Sequence, residues 1–158
     1  MSRHLLDSFD LRLLSAIQQS DTPSLQKLAE QVNLSSSQCS RRISRLKENG
    51  YIQKQVTLLN PNAIGLNVEA FVTVQLNNHT SNTANYFKQA IIKLSPVLEC
   101  HAITGGDGDY LLKVVATNQQ ALSNFLLEEL MKIPGVNQLK TAMTLSVIKS
   151  TTELPLGR

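Results

Sequence analysis

The apolar positions change period near residue 67, and the change divides the chain in two. Phe9, Leu13, Leu14 and Ile17 recur at helical spacing and leave Arg12, Gln18 and Gln19 outside, predicting a first helix capped by Asp7 or Ser8. Thr22-Pro23 offers a cap and a favoured first-turn proline to a second helix, along which Leu25, Leu28, Ala29 and Val32 follow the i, i+3, i+4, i+7 pattern. Asn33-Leu34 makes the turn. Ser35 with Gln38 fits an S-x-x-Q capping box, so a third helix starts there and runs to Asn49-Gly50, where glycine can adopt the left-handed stop. Tyr51 to Leu59 reads as a strand or wing.

Asn60-Pro61-Asn62 is a turn cluster, and beyond Gly65-Leu66-Asn67 the period becomes two. Val68, Ala70, Val72, Val74 and Leu76 alternate with Glu69, Phe71, Thr73 and Gln75, the signature of a strand with one apolar face. Phe87, Ala90, Ile91 and Leu94 return to helical spacing until Pro96, and Val97 to Ile103 reads as a second strand. After the turn Gly105-Gly106-Asp107-Gly108, Tyr110 to Ala116 forms a third strand. Leu122, Phe125, Leu126 and Leu130 mark a helix ended by Pro134-Gly135, and Leu139 to Ile148 supplies a fourth strand. The order β-α-β-β-α-β predicts a ferredoxin-like antiparallel sheet with both helices on one face. The fold class is α+β: a winged helix-turn-helix over residues 1–60, a linker over 61–67, a ferredoxin-like domain over 68–150 and a tail over 151–158. Phe71 gives the second sheet face apolar character, which implies burial by self-association.

Charge sharpens the division. Residues 1–60 hold eight Lys/Arg and five Asp/Glu, so all of the net charge of +3 lies there, and the remainder has seven of each. Arg41, Arg42, Arg45, Lys47 and Lys54 stand against a single acid, Glu48. On the third helix Cys39, Ile43 and Leu46 share a narrow arc, whereas Ser37, Gln38, Arg41, Ser44, Arg45 and Glu48 project from the opposite side. A helix that enters the major groove needs this division between a packed stripe and free donors. The candidate DNA-contacting residues are Ser36, Ser37, Gln38, Arg41, Arg45, Lys47 and Lys54, with Gln38 near the helix start, where glutamine can pair with adenine. Arg42 lies nearer the apolar edge and is open to two readings, a DNA contact or a salt bridge to the domain's own acids. The plainer alternative for the whole run is a solvated helix face. Paired heads on a dimer would meet half-sites about 34 Å apart.

With 158 residues and 42% hydrophobic content, the chain can bury one full core or two small ones. No apolar run approaches the ~18 residues of a membrane span, and Asp7, Asp10 and Arg12 interrupt the window for a secretory signal, so a cytoplasmic protein without membrane association is expected. Cys39 and Cys100 fall on apolar positions and are expected to be buried free thiols. Cys100 and His101, adjacent on a strand, should point to opposite faces, and His4, His79 and His101 have unrelated contexts. No catalytic residues, metal site or cofactor is expected.

The chain resembles the Lrp/AsnC family of transcriptional regulators. The likeness rests on LLDSFDLRLLSAIQ, LAEQVNLSSSQCSRRISRLKENGYI, LLNPNAIGL, TGGDGDYLLKVV and MTLSVIKSTTELPL, in that order and spacing. The resemblance implies a regulator that binds double-stranded DNA as a homodimer, assembles into an octamer (a tetramer of dimers) and senses an amino acid between dimers. It maps effector contacts onto Thr104, Gly105, Gly106, Asp107, Asp109, Thr141 and Thr144. Glycines would let backbone N–H groups approach a carboxylate, Asp107 or Asp109 would hold an α-ammonium, and threonine hydroxyls would complete the shell. The same Gly-Asp stretch is equally a plain hairpin turn. Its Gly-Gly-Asp-Gly-Asp is longer than the Gly-Glu/Asp-x-Asp of many relatives, which would reshape the site. A small apolar or sulfur-containing amino acid is the expected effector. A nucleoid-organising DNA-binding protein without effector is an alternative, as, with less support, is a small ligand-binding enzyme.

Overall fold

The computed structural model describes residues 5–19, 24–78, 80–106 and 108–156. Two compact units emerge: the chain up to Leu58 together with the segment from Lys149 onward, and Leu59–Ile148.

The first unit contains α1 (Ser8–Gln18), α2 (Leu25–Val32) and α3 (Ser36–Glu48). A reciprocal capping box opens α1: the Asp7 carboxylate accepts the Asp10 N–H at 2.8 Å, and the Asp10 carboxylate accepts the Asp7 N–H at 3.2 Å. The cap expected at Thr22-Pro23 lies outside the described residues, and Ser24 caps α2, its hydroxyl accepting the Lys27 N–H. Leu25, as the first helical residue, is exposed, so the packed stripe of α2 is Leu28, Ala29 and Val32. Asn33 takes the left-handed conformation at φ 55°, which a short polar side chain tolerates, and so turns α2 into α3 within three residues. Leu13, Leu14, Leu28, Ala29, Val32, Cys39 and Leu46 form the core of this unit.

Two expectations fail in this unit. Residues 51–60 form no strand: the Tyr51 and Ile52 N–H groups donate to the Leu46 carbonyl, and the chain then runs on unladdered. An isolated strand leaves its donors and acceptors to water, and among the described residues no strand forms a ladder with the segment. Val56, Leu58 and Leu59 are consequently exposed. The tail, in turn, is not a separate appendage. The Gln18 side-chain amide donates to the Leu154 carbonyl at 3.2 Å and accepts the Leu154 N–H at 2.7 Å, imitating one rung of a β-ladder. Gln19 donates to Glu153 at 2.8 Å, and Leu156 packs against the helical core.

The second unit is one antiparallel sheet in the order β2-β3-β1-β4, built from β1 (Val68–Leu76), β2 (Val97–Ala102), β3 (Tyr110–Ala116) and β4 (Val136–Met143). Its helices are α4 (Ser81–Ile91) and α5 (Gln119–Asn124), the latter continuing as a π-helix over Phe125–Leu130. The widened turn has a packing cause. Residues five apart are about 140° apart on an α-helix but stack when bonds run i→i+5, so Phe125 and Leu130 are both buried. The core joins alternate residues of β1 and β3 to Phe87, Leu122, Phe125 and Leu130, with the Phe87 and Tyr110 rings 4.5 Å apart.

The fourth strand lies earlier than the expected Leu139 to Ile148. It begins at Val136 and ends at Met143, opposite Ala70, with the Thr144 N–H donating to the Glu69 carbonyl as its last link to β1. Both edge strands are mostly exposed, and this corrects the burial expected for Cys100: the thiol is free but exposed on β2, whereas Cys39 is free and buried. Cys100 pairs with Leu112 and His101 with Leu111, which sets them on opposite faces.

Candidate nucleic-acid interface and effector loop

Capping and charge together position α3. Ser35 accepts the Gln38 N–H at 3.3 Å while the Gln38 side-chain oxygen accepts the Ser35 N–H at 3.0 Å. This box competes with the expected adenine contact. A bidentate grip needs both ends of the amide, and the Gln38 oxygen already satisfies a helix-end donor. Ser36 and Ser37 are exposed on the same turn, with the Ser37 hydroxyl 3.0 Å from that of Ser35.

The arginines separate by partner. Arg41, at the centre of the outward face, is exposed, as are Lys47 and Lys54, and no ion pair involves these three among the described residues. Arg45, expected on that face, instead turns toward α1: its Nη2 donates to both oxygens of Asp10, at 2.8 and 2.7 Å. Arg42 Nη1 donates to Asp10 and to Asp7, each at 2.7 Å, so the salt-bridge reading is the one that holds. The guanidinium of Arg42 lies 5.4 Å from the Phe9 ring centroid and that of Arg12 4.5 Å from it. Asp10 itself is 1% exposed.

The geometry follows from helical pitch. Arg42 and Arg45 are three residues apart, hence about 60° apart on the edge of α3 that faces α1, and both side chains are long enough to reach one carboxylate. The hydrogen bonds that the Arg42 guanidinium donates to Asp7 and Asp10 push its pKa above the ordinary value. Burial alone would raise the Asp7 carboxyl, but the Asp10 N–H and Arg42 outweigh it and hold that carboxyl below the usual range. Sequence reasoning passed over Asp10 as a functional residue. The signal was present: Leu6, Asp10, Leu13, Leu14 and Ile17 keep helical spacing, so Asp10 is a charge written into a core position.

In the second unit the loop between β2 and β3 carries the expected effector residues. Thr104, Gly105 and Gly106 are exposed, and the two glycines take left-handed backbone at φ 80° and 90°. Asp107 lies outside the described residues. Asp109 is committed to the fold: its N–H donates to the Val74 carbonyl at 2.8 Å, and its carboxylate accepts the Leu76 N–H at 2.7 Å. That anchor competes with the role of holding an α-ammonium. Gly108 presses against β1, where a Cβ would lie 2.2 Å from Thr73 Cγ2. Thr141 is exposed opposite Val72, the middle residue of β1. Thr144 is elsewhere: its N–H donates to the Glu69 carbonyl, five residues before Val74 and so ~17 Å away along β1. One copy of the chain thus sets Thr104, Gly105 and Gly106 at one end of the sheet, Thr141 opposite the middle of β1 and Thr144 at the other end.

Comparison with known proteins agrees with this division. Residues 6–53 match the model for winged helix-turn-helix DNA-binding, and residues 69–154 match that for the Lrp/AsnC ligand binding domain. The chain is 34% identical to the DNA-binding transcriptional activator DecR of Escherichia coli over 96% of its own length and 99% of that protein's. It is 34% identical to the leucine-responsive regulatory protein of Klebsiella pneumoniae, over 94% and 90%. Among solved structures, a transcriptional regulator of Neisseria meningitidis in complex with L-Met superposes with a TM-score of 0.91 at 33% identity, covering 96% of this chain and 97% of that one. An AsnC family transcriptional regulator from Agrobacterium tumefaciens gives 0.88 at 32%, covering 95% and 97%. The chain belongs to the Lrp/AsnC family of DNA-binding transcriptional regulators.

Proposed function

We propose that this regulator reads double-stranded DNA through the outward face of α3 and responds to a small apolar or sulfur-containing amino acid at the β2–β3 loop. The observation that carries the DNA reading is the exposure of Arg41, an uncommitted guanidinium at the centre of a helix held rigidly by its two partners. A guanidinium so placed can grip guanine O6 and N7. Lys47 and Lys54 flank it as phosphate contacts, and Ser36 and Ser37 offer hydroxyls and backbone N–H groups at the helix start. Arg45 and Gln38 contribute by fixing the helix.

For the effector, support comes from the exposed backbone of Gly105 and Gly106 and from the Neisseria relative, solved with L-Met. Exposure of the loop on one chain means that a bound amino acid needs a second wall. A second copy would supply it, consistent with a homodimer assembling further to an octamer. Phe71, 41% exposed on the uncovered sheet face, is the natural dimer contact. A regulator acting on DNA is expected in the cytoplasm; no helix among the described residues is long and apolar enough to cross a membrane.

The test is a retardation assay on duplexes selected from a random pool, against scrambled duplex, across salt and with each of the twenty amino acids. Retained preference for the selected duplex, altered by an apolar or sulfur-containing amino acid, is the expected result. A steep salt dependence with no preference and no amino-acid effect would indicate a nucleoid organiser instead.

A further inference from the structure

We propose that Asp10 is a positioning and charge-masking residue for DNA recognition: by holding Arg42 and Arg45 against α1, it withholds two cations of the basic segment from phosphate. The inference rests on the DNA-binding function given above and goes beyond it, because it assigns a role in selectivity to a residue that need not touch DNA. Asp10 is the only buried charged residue among the described ones, and each of its oxygens accepts a guanidinium N–H. Asp7 adds a second acid to Arg42, so the four groups form a neutral cluster inside a strongly basic stretch.

Stability does not require this arrangement. A buried ion pair seldom outperforms apolar side chains of similar volume, and the flanking positions Leu13 and Leu14 show that an apolar residue suits the stripe. What the cluster supplies is direction. Arg42 and Arg45 bind the reading helix to α1 at a fixed rotation, leaving Arg41 as the outward guanidinium. They also stay out of the electrostatic, sequence-independent part of binding, in which each phosphate-neutralising cation adds about 0.9 to the slope of log affinity against log salt. A head with two fewer such cations binds random DNA less tightly and discriminates better.

The experiment measures salt slopes and the ratio of selected to scrambled duplex affinity on the full chain. Asp10→Asn, close in size, releases Arg45 and leaves Arg42 held by Asp7 alone. The slope on scrambled duplex should steepen by about one to two, with several-fold tighter non-specific binding at low salt and a smaller ratio. Asp10→Asn combined with Arg45→Gln should return the slope toward wild type. If Asp10→Asn does not fold, as circular dichroism would report, single substitutions decide. Arg45→Gln should leave the slope as in wild type, whereas Arg41→Gln lowers it or collapses the ratio. A purely structural Asp10 would weaken both duplexes in parallel at an unchanged slope, and that result, or an Arg45→Gln slope reduced by about one, overturns the proposal. A wild-type chain that ignores every duplex at low salt refutes the DNA-binding function itself, which separates the two failures.

Discussion

The helical unit and the loop end of the sheet both concentrate polar groups, but they use them differently. In the first, several of the polar groups are engaged internally: Gln38 caps its own helix, Arg42 and Arg45 bind Asp10 and Asp7, and Gln18 holds the tail. Arg41, Lys47 and Lys54 remain outward. In the second, Thr104, Gly105 and Gly106 are open to solvent, while Asp109 is tied to β1. A DNA-reading face can be finished within one chain because its ligand is large and brings its own charge. An amino-acid site must enclose its ligand, and an open loop does that only with a second surface.

The largest expected effect tests whether the first unit depends on its internal charges. Asp10→Ala leaves two guanidinium groups without their shared carboxylate and should cost about 3 kcal/mol, measured by urea unfolding followed by circular dichroism. A loss under about 1 kcal/mol would show that solvent replaces the carboxylate readily. On the other side of the comparison, Gly108→Ala should cost about 2 kcal/mol through its collision with Thr73 Cγ2. Pairing it with Thr73→Ser, which removes that methyl, should restore most of the loss. If it does not, the loop is shaped by something other than its contact with β1.

Smaller effects sharpen the contrast. Gln18→Ala removes both hydrogen bonds to Leu154 and should destabilise the helical unit by about 1 kcal/mol, with faster proteolysis of the tail. Unchanged proteolysis would mean that Leu156 alone anchors it. The smallest effect is pH dependence. Because the folded Asp7 carboxyl is held below its ordinary value of 3.8, its contribution is complete above that pH and is lost as pH falls through the lower folded value. Asp7→Asn should flatten the acid limb of stability below about pH 4, and an identical limb would remove Asp7 from the account.

Much of the architecture was legible because it is local. The Ser35–Gln38 box, the turn at Asn33, the β1 alternation and the bounds of β3 are each decided within a few neighbouring residues. What escaped was decided by partners far along the chain. The missing strand over residues 51–60 and the early end of β4 are matters of pairing, which no single segment encodes. The tail was misread for the same reason, since Gln18 and Leu154 are 136 residues apart. At the candidate sites, residue type foretold the chemistry but not its direction: an arginine on a polar helix face can turn to an acid or a phosphate, and Arg45, expected outward, turned to the acid. Asp109 repeats the lesson, its carboxylate serving the Leu76 N–H.

The central claim is that Arg41, and not the arginines bound to Asp10, meets the base edges. Its most direct test is competition binding of wild type and Arg41→Ala on duplexes selected from a random pool, with every position of the selected site varied in turn. The account predicts a loss of about 1 to 3 kcal/mol for Arg41→Ala together with relaxed preference at one base pair. Wild-type affinity and an unaltered preference profile in the variant would contradict it.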